Sequence, residues 1–566
     1  MKAVIIGGVA GGATAAARLR RLNEEAEIVV LERSGFVSYA NCGLPYYVGG
    51  VIEDEEELTL QTPQSFFERF HIDVRVHSEA LSIDRAAKTV RVRELLSGRE
   101  YEESYDKLLL APGAAAMKPA LPGVDGARVL TLRTVEDTLR LRDLVVEQNV
   151  RRAVVVGGGF IGLEAAENLL HRGVATTLLQ RSKQVLPPLD GDMAALLHGY
   201  LRRHGLDLRF GQNVQGYEET QTGVRVLLKE GEPVEGDLVL LAIGVVPENK
   251  LAKDAGLALG VKGAIVTDEH MRTADPDIYA VGDAVQVKNF VTGADANIAL
   301  AGPANKQGRI AADNICGIPS VYTGAQGSSV IKLFDMTAAS TGLNEKAAKA
   351  AGIPYGRALT YSASHASYYP GARNMTVKTL FDPATGKILG AQIVGFEGVD
   401  KRIDVLATAI RAGMTAEDLT ELDLAYAPPY SSAKDPVNMA GYVIENLRAG
   451  LVRQVWWDEL EAQQDALFLD VRTPEEFARG RLEGAVNIPL DELRGRLQEL
   501  EPARGKEIVV NCHSGLRSYL ACRILAQHGF SCKNLAGGFQ FVSCVAEDAC
   551  YGENALPPCG LRVEKG

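Results

Sequence analysis

The sequence predicts an α/β protein of several domains. Three observations carry this. Residues 2–6 (Lys-Ala-Val-Ile-Ile) and 152–156 (Arg-Ala-Val-Val-Val) each read as a buried strand followed by glycines and an apolar helix. Each helix leads to a second strand, Glu27–Glu32 and Ala175–Gln180, so a βαβ opening occurs twice. Residues 321–450 then alternate short strands with helices, and a fresh α/β pattern starts at Trp457. A chain of 566 residues has room for three to four domains at about 100–200 residues each.

Composition excludes some functions. The chain is 46% hydrophobic and 23% charged, ordinary for a globular protein. A formal net charge of −12 argues against nucleic-acid or anionic-membrane binding by the whole chain. Lys2, an apolar run and Ala15-Ala16-Ala17 imitate a signal peptide, but Gly7, Gly8, Gly11 and Gly12 interrupt the run and three arginines follow. A cytoplasmic, membrane-free protein is expected, with no run near the about 18 apolar residues of a span. Of eight cysteines, only Cys42 and Cys316 precede residue 512, which is no secreted disulfide framework.

The glycine turns come next. Gly7-Gly8-Val9-Ala10-Gly11-Gly12 lies between strand and helix, and Glu32 ends the second strand twenty residues after Gly12. Such glycines let backbone approach a pyrophosphate at a helix N-terminus, and the acid accepts a ribose hydroxyl. Val9 departs from the pattern by occupying the middle glycine. Gly157-Gly158-Gly159-Phe160-Ile161-Gly162 is intact, but its second strand ends in Gln180-Arg181. An acid there favours NAD; Gln180 does not repel a 2′-phosphate and Arg181 attracts one, so NADH and NADPH both remain open. Two dinucleotide-binding (Rossmann-like) domains are the simplest account.

The segment Thr273–Ala284 (Thr-Ala-Asp-Pro-Asp-Ile-Tyr-Ala-Val-Gly-Asp-Ala) resembles the second flavin motif of the two-dinucleotide-domain flavoprotein reductases. Ala111-Pro112-Gly113, and Ala242-Ile243-Gly244 with Pro247, resemble that superfamily's domain crossings. The resemblance implies FAD on the first fold, at Gly7, Gly8, Ala10, Gly11, Gly12, Glu32, Arg33, Asn41, Ala111, Gly113, Gly282, Asp283 and Ala301. It implies NAD(P)H on the second, at Gly157, Gly159, Phe160, Ile161, Gly162, Gln180 and Gly244.

Cys42 lies in Ser38-Tyr-Ala-Asn-Cys-Gly-Leu-Pro-Tyr-Tyr47, ten residues after Glu32. Disulfide reductases of the superfamily carry a Cys-x4-Cys pair there; here the fifth residue on is Tyr47. Cys42 therefore bonds to an external sulfur or oxygen. A thiolate attacks a sulfur–sulfur bond and keeps a mixed disulfide or persulfide. A helix N-terminus and Asn41 are expected to lower its pKa.

This wording resembles the coenzyme A-disulfide reductases over roughly residues 1–450, continuing in His365–Gly371 and Tyr426–Tyr430. That family uses two tyrosines of the partner subunit near the reactive sulfur. The resemblance puts these at Tyr368 and Tyr426, with Tyr369 and Tyr430 as alternates, in a homodimer. A phenol there protonates a leaving thiolate where no catalytic histidine exists. Coenzyme A contacts carry over to Thr14, Arg18, Arg21, Ser38 and Asn41, with Asn305 and Lys434. Arg18 and Arg21, three apart, share a helix face suited to phosphates.

At the C-terminus, Asp470-Val-Arg-Thr-Pro, Asn487-Ile-Pro and Asn511-Cys-His-Ser-Gly-Leu-Arg-Ser518 resemble a single-domain rhodanese. A strand delivers Cys512 to a loop that opens a helix, where backbone N–H groups surround the sulfur and Arg517 adds positive charge. A phosphatase-type loop, with its own cysteine and arginine, is the alternative reading. Cys522, Cys532, Cys544, Cys550 and Cys559 fit no zinc spacing, so no metal is expected. The last three are sulfur relays or spare thiols.

The expected organisation is a FAD domain over 1–115 and 249–320, an NAD(P)H domain over 116–248, an α+β dimerisation domain over 321–450, a linker at 451–456, an α/β rhodanese domain over 457–545 and a tail over 546–566. The expected activity is FAD-dependent reduction of coenzyme A persulfide, polysulfide or coenzyme A disulfide by NADH or NADPH, with sulfane sulfur handled at Cys512. The alternative is an NADH oxidase or peroxidase that cycles Cys42 through sulfenic acid. A third, non-catalytic reading is a redox-sensing flavoprotein.

Overall fold

The computed structural model describes residues 1–148, 150–463, 465–551 and 563–565. They form two compact units, Met1–Val185 with Gly205–Gly327, and Leu186–His204 with Ser328–Gly566.

The first unit holds the two expected nucleotide-binding sheets. One has the strand order Ile278–Ala280, Lys107–Leu110, Lys2–Ile6, Glu27–Leu31, Asp73–Arg75. The other runs Asp207–Arg209, Ala175–Leu179, Arg152–Val156, Leu238–Leu241, Val129–Thr131. Every pairing in both is parallel. Their central strands are apolar on both faces because both sides are covered, in the first sheet by helices on the Ile5 side and by an antiparallel meander on the Val4 side: Val4, Ile5, Val154 and Val155 are fully buried. Each sheet also carries a three-stranded antiparallel meander, Ser78–Asp84 to Glu100–Ser104 and Val214–Glu219 to Val234–Gly236. The duplication thus extends beyond the βαβ openings.

The second unit contains a five-stranded antiparallel sheet ordered Ser329–Leu333, Met336–Gly342, Ile388–Gly395, Asn374–Phe381, Gly356–Ala363. The helix Val399–Ala412 packs on it through Ile403, Leu406 and Ile410. The C-terminal sheet is parallel, ordered Gln454–Val455, Ser531–Leu535, Glu507–Asn511, Leu467–Asp470, Val486–Asn487.

Three readings change. Gln454–Val455, taken as linker, is an edge strand that pairs with Asn534 and Leu535, and Val452, Val455 and Trp456 are buried. The segment taken as tail begins inside the helix Gly538–Ala549, and Val563–Lys565 pairs antiparallel with Gly480–Leu482. Cys559 lies outside the described residues.

The third concerns the helix Gly191–Arg203. By sequence it falls within the second nucleotide domain, yet it belongs to the second unit. Charge explains this. Lys378 is fully buried, and its Nζ lies 3.0 Å from Asp190, 2.8 Å from Asp192 and 2.6 Å from Glu345. His198 Nδ1 and Arg202 meet the Asp548 carboxylate at 2.7 and 2.6 Å. No helix among the described residues is long and apolar enough to cross a membrane.

Candidate active sites

The two glycine turns are built alike. Gly7 has φ +96° and Gly157 φ +110°, values that only glycine adopts readily. A Cβ on Gly7 would lie 2.1 Å from the Ala111 carbonyl oxygen, and one on Gly157 would lie 2.3 Å from that of Ala242. A Cβ on Gly12 or Gly162 would strike the carbonyl oxygen of Gly7 or Gly157 at 1.9 and 2.0 Å. These glycines press each helix N-terminus onto its strand. The residues that close the second strands also correspond. Glu32 accepts the Gly8 N–H at 2.9 Å, and Gln180 Oε1 accepts that of Gly158 at 3.0 Å.

The middle position is less demanding than the sequence pattern implies. Val9 has φ −103° and Gly159 φ −82°, so neither backbone needs glycine. Around Gly159 the space a Cβ would fill is open. Ala10 begins one helix, and Phe160 and Ile161 begin the other.

A cleft of about 190 Å³ opens at the carboxyl ends of the first sheet's strands, lined by Gly7, Glu32, Arg33, Pro112 and Glu248 among others. This is where open α/β sheets bind nucleotides, and its donors and acceptors fit the adenosine end of FAD. Burial raises the Glu32 carboxyl, and the N–H bonds from Gly8 and Ser34 oppose the rise. Arg33 pairs with Glu248 at 2.9 Å. Gly282, at φ +82°, donates its N–H to Gln307 Oε1 at 2.7 Å. Asp283 faces Arg133 at 3.5 Å; burial raises its carboxyl and Arg133 opposes the rise. Gly113 and Gly244, at φ +73° and +117°, turn the chain at the domain crossings, and Ala301 begins the helix Ala301–Ile315.

Cys42 is a free, exposed thiol in the short 3₁₀ turn Asn41–Gly43, just before the helix Leu44–Gly49. Ser38 is held beside the first glycine turn by its N–H bond to the Gly8 carbonyl at 2.8 Å. Tyr47, in place of a second cysteine, is buried with the Arg142 guanidinium 4.6 Å from its ring centroid. The expected lowering of the Cys42 pKa is not what the surroundings produce. Partial desolvation by the surrounding atoms pushes the thiol up although its surface is open, Glu164 and Asp283 push it the same way, and Arg133 opposes them. Desolvation is the largest of these contributions, followed by the Glu164 and Asp283 carboxylates.

In the C-terminal domain, Cys512 is 1% exposed. Its Sγ accepts the Gly515 N–H at 3.1 Å and the Ser518 hydroxyl at 3.3 Å. Gly515, at φ +110°, caps the helix Leu516–Gln527. A second helix steadies the loop from behind: Phe539 and Gln540 donate N–H groups to the carbonyls of Cys512 and His513 at 2.8 and 3.0 Å. Arg517 does not present a free charge to the sulfur. It binds Glu476 through two 2.7 Å bonds, and this pairing holds the Glu476 carboxyl down at about 2.

A model of the pyridine nucleotide-disulphide oxidoreductases matches residues 1–308, and their dimerisation domain matches 328–436. The chain belongs to the pyridine nucleotide-disulphide oxidoreductases. A rhodanese-like domain model matches 454–542, so this oxidoreductase carries a rhodanese domain in the same chain. A coenzyme A disulfide reductase of Staphylococcus aureus strain JH9 is 35% identical over 442 residues, 78% of this chain and 99% of the relative. The crystal structure of reduced Bacillus anthracis CoADR-RHD matches with a TM-score of 0.93 at 48% identity, over 96% of this chain and 98% of that one. A NAD-dependent persulfide reductase from A. fulgidus matches with a TM-score of 0.91 at 41% identity, over 96% of this chain and 100% of that one.

Within this oxidoreductase the remaining expected site residues fall into groups. Tyr368 and Tyr426 come together, with their hydroxyls 2.8 Å apart on an exposed surface. The hydrogen bond to Tyr368 raises the Tyr426 phenol. Tyr369 and Tyr430 are exposed near by, outside that bond. Thr14 and Asn305, on two packed helices, bond at 2.5 Å. Arg18 is drawn to Asp313 at 2.7 Å, and Arg21 Nε donates to the Ala17 carbonyl at 3.0 Å, so the two differ in their freedom to meet phosphates. Lys434 is exposed beside Asp435, which caps the helix Pro436–Arg448. Cys544 is a poor relay, because burial pushes its thiol up to about 12.

Sequence reasoning passed over Glu164, Tyr46 and Arg133. Tyr46 donates its hydroxyl to Glu164 at 3.3 Å, and burial raises Glu164 to about 7. A signal for Glu164 existed: it follows Gly162 by two residues, on the helix that opens the second nucleotide site. Arg133 carried none.

Proposed function

We propose that this oxidoreductase uses NADH or NADPH, with FAD as resident cofactor, to reduce sulfur held on Cys42, and that its substrate is a coenzyme A persulfide, a polysulfide or coenzyme A disulfide. The carrying observation is an exposed, unpaired Cys42 thiol in a chain that also holds a sulfur-binding loop at Cys512. A plain disulfide reductase needs no sulfane-sulfur carrier, so the second cysteine favours persulfide or polysulfide.

FAD would be held by the cleft bounded by Gly7, Glu32 and Arg33, with Asp283 as a further contact, and would supply two-electron exchange between nicotinamide and sulfur. The second turn, Gly157 to Gly162, takes the nicotinamide nucleotide, with Gln180 and Arg181 leaving room for a 2′-phosphate. The Cys42 thiolate attacks the substrate's sulfur–sulfur bond and retains one sulfur partner. The leaving thiolate takes a proton from the phenol pair of the dimerisation domain, Tyr368 and Tyr426 of the partner subunit in a homodimer. Thr14, Arg18, Arg21, Ser38, Asn41, Asn305 and Lys434 provide the coenzyme A contacts. The S. aureus relative, named for coenzyme A disulfide, and the A. fulgidus protein, named for persulfide, support the substrate class.

Anaerobic kinetics of the wild type, Cys42→Ser and Cys512→Ser test this on coenzyme A disulfide, coenzyme A persulfide and polysulfide. Cys42→Ser abolishes turnover of all three, while Cys512→Ser spares the disulfide. Full activity of Cys42→Ser overturns the proposal. NADH consumption under air that exceeds consumption with every sulfur acceptor assigns the protein to the oxidases instead.

A further inference from the structure

The rhodanese domain holds two cysteines that the proposed reaction does not use. Cys522 lies on the helix Leu516–Gln527, and Cys532 on the strand Ser531–Leu535. They are 2% and 7% exposed, both free, and in one apolar core with Ile508, Val510 and Phe530. As a thiol, Cys532 donates to the Cys522 carbonyl oxygen at 3.4 Å. As a thiolate it accepts from the Cys522 S–H, which lowers the pKa of Cys532 and raises that of Cys522. Arg453 anchors the strand end, its Nη2 donating to the Cys532 carbonyl at 3.1 Å. A buried cysteine whose sulfur rests on the backbone of a second buried cysteine, in one core on adjacent helix and strand, is the arrangement of a dithiol that closes.

We propose that Cys522 and Cys532 form a two-electron redox site, closed to a disulfide by hydrogen peroxide, an oxidant small enough to enter the core. The Cys532 thiolate attacks the peroxide, forming an S–O bond as the O–O bond breaks; the departing hydroxide takes a proton and leaves as water. The Cys522 sulfur then attacks the Cys532 sulfenic acid. The S–S bond forms, the S–O bond breaks, and the Cys522 proton leaves with the hydroxyl as a second water. Both sulfurs are oxidised by one electron each and the peroxide is reduced by two. The site differs from Cys512, whose sulfur is committed to Gly515 and Ser518. Ser518 lies one helical turn before Cys522, so the new bond would tie down the helix that holds the Cys512 sulfur. This inference is independent of the coenzyme A reading.

Tryptic cleavage separates the three thiols, with Cys512 in Glu507–Arg517, Cys522 in Ser518–Arg523 and Cys532 in Ile524–Lys533. The reduced full-length protein is treated with limiting hydrogen peroxide, alkylated, digested without reductant and analysed by mass spectrometry. The expected product is Ser518–Arg523 linked to Ile524–Lys533, two hydrogens lighter than the separate peptides and released by dithiothreitol. Dimedone labelling of Cys522→Ala traps the sulfenic acid on Cys532. Recovery of both peptides as free thiols, at doses that have oxidised Cys42, overturns the proposal. So does a link from Cys522 to Cys512. The central comparison uses the wild type, so a variant that fails to fold cannot obscure it.

Discussion

Cys42 shows how strongly a single residue depends on neighbours distant in the chain. Glu164, reached through Tyr46 across 118 residues of sequence, holds the thiol up, as does Asp283. Glu164 itself titrates near about 7, so its charge is present in the upper part of the physiological range. Glu164→Gln removes one of the two carboxylates that disfavour the thiolate. The pH profile of Cys42 alkylation by iodoacetamide, read by mass spectrometry on the holoenzyme, therefore moves to lower pH; no movement, or an upward one, contradicts this electrostatic account. Glu476 gives the opposite case. Its carboxyl lies at about 2 beside Arg517, below the ordinary value of 4.5. A depressed folded-state value means the pairing stabilises the domain above pH 4.5, and that stability is lost as pH falls towards 2. The difference in thermal midpoint between wild type and Glu476→Gln is thus largest near neutrality and narrows on acidification, as differential scanning calorimetry can show.

At the scale of elements, the glycine turns were the most legible part of the chain. Their requirement is local: a positive φ at Gly7 and Gly157, and close approach at Gly12 and Gly162. Spacing alone exposes both. The structure adds that the two turns are near copies, which makes them testable as a pair. Gly12→Ala puts a methyl against the Gly7 carbonyl at 1.9 Å, and Gly162→Ala does the same at Gly157 at 2.0 Å. Overpacking of this kind costs about 1–3 kcal/mol or moves the helix. Gly12→Ala purifies with less flavin, measured by absorbance, whereas Gly162→Ala keeps its flavin and shows a raised KM for NADH or NADPH. If both variants lose flavin equally, the assignment of one nucleotide to each turn fails. The edge strand Gln454–Val455 was illegible because two residues carry no periodicity; only its pairing partner Asn534–Leu535 defines it.

At the scale of the molecule, buried charge organises the second unit. Lys378 neutralises part of an acidic cluster drawn from two separate stretches, and Trp457 Nε1 donates to Asp192 at 3.3 Å. The dimerisation sheet, the helix Gly191–Arg203 and the start of the rhodanese domain meet there. Removing one partner of a buried ion pair typically costs about 3–5 kcal/mol, because the remaining charges stay desolvated. Lys378→Met leaves three carboxylates facing one another, removes unfolding free energy of that order from this unit and so lowers its denaturation midpoint. The chain's two tryptophans, Trp456 and Trp457, both lie at this junction, so their fluorescence follows the transition directly. An unchanged midpoint removes the cluster from the account of how the unit is held together.

The sequence by itself determined the α/β class, the duplicated nucleotide folds, the candidate cysteines Cys42 and Cys512, and the absence of a second cysteine beside Cys42. Each of these is written in short-range spacing, where backbone sterics and strand or helix periodicity act within a few residues. Tertiary structure decided the rest: the upward push on the Cys42 thiol, the capture of Arg517 by Glu476, the meeting of Cys522 with Cys532, and the transfer of the helix Gly191–Arg203 to the second unit. These depend on desolvation and Coulomb interaction between groups far apart in sequence, and such terms take their sign and size only when packing brings the groups within a few ångströms.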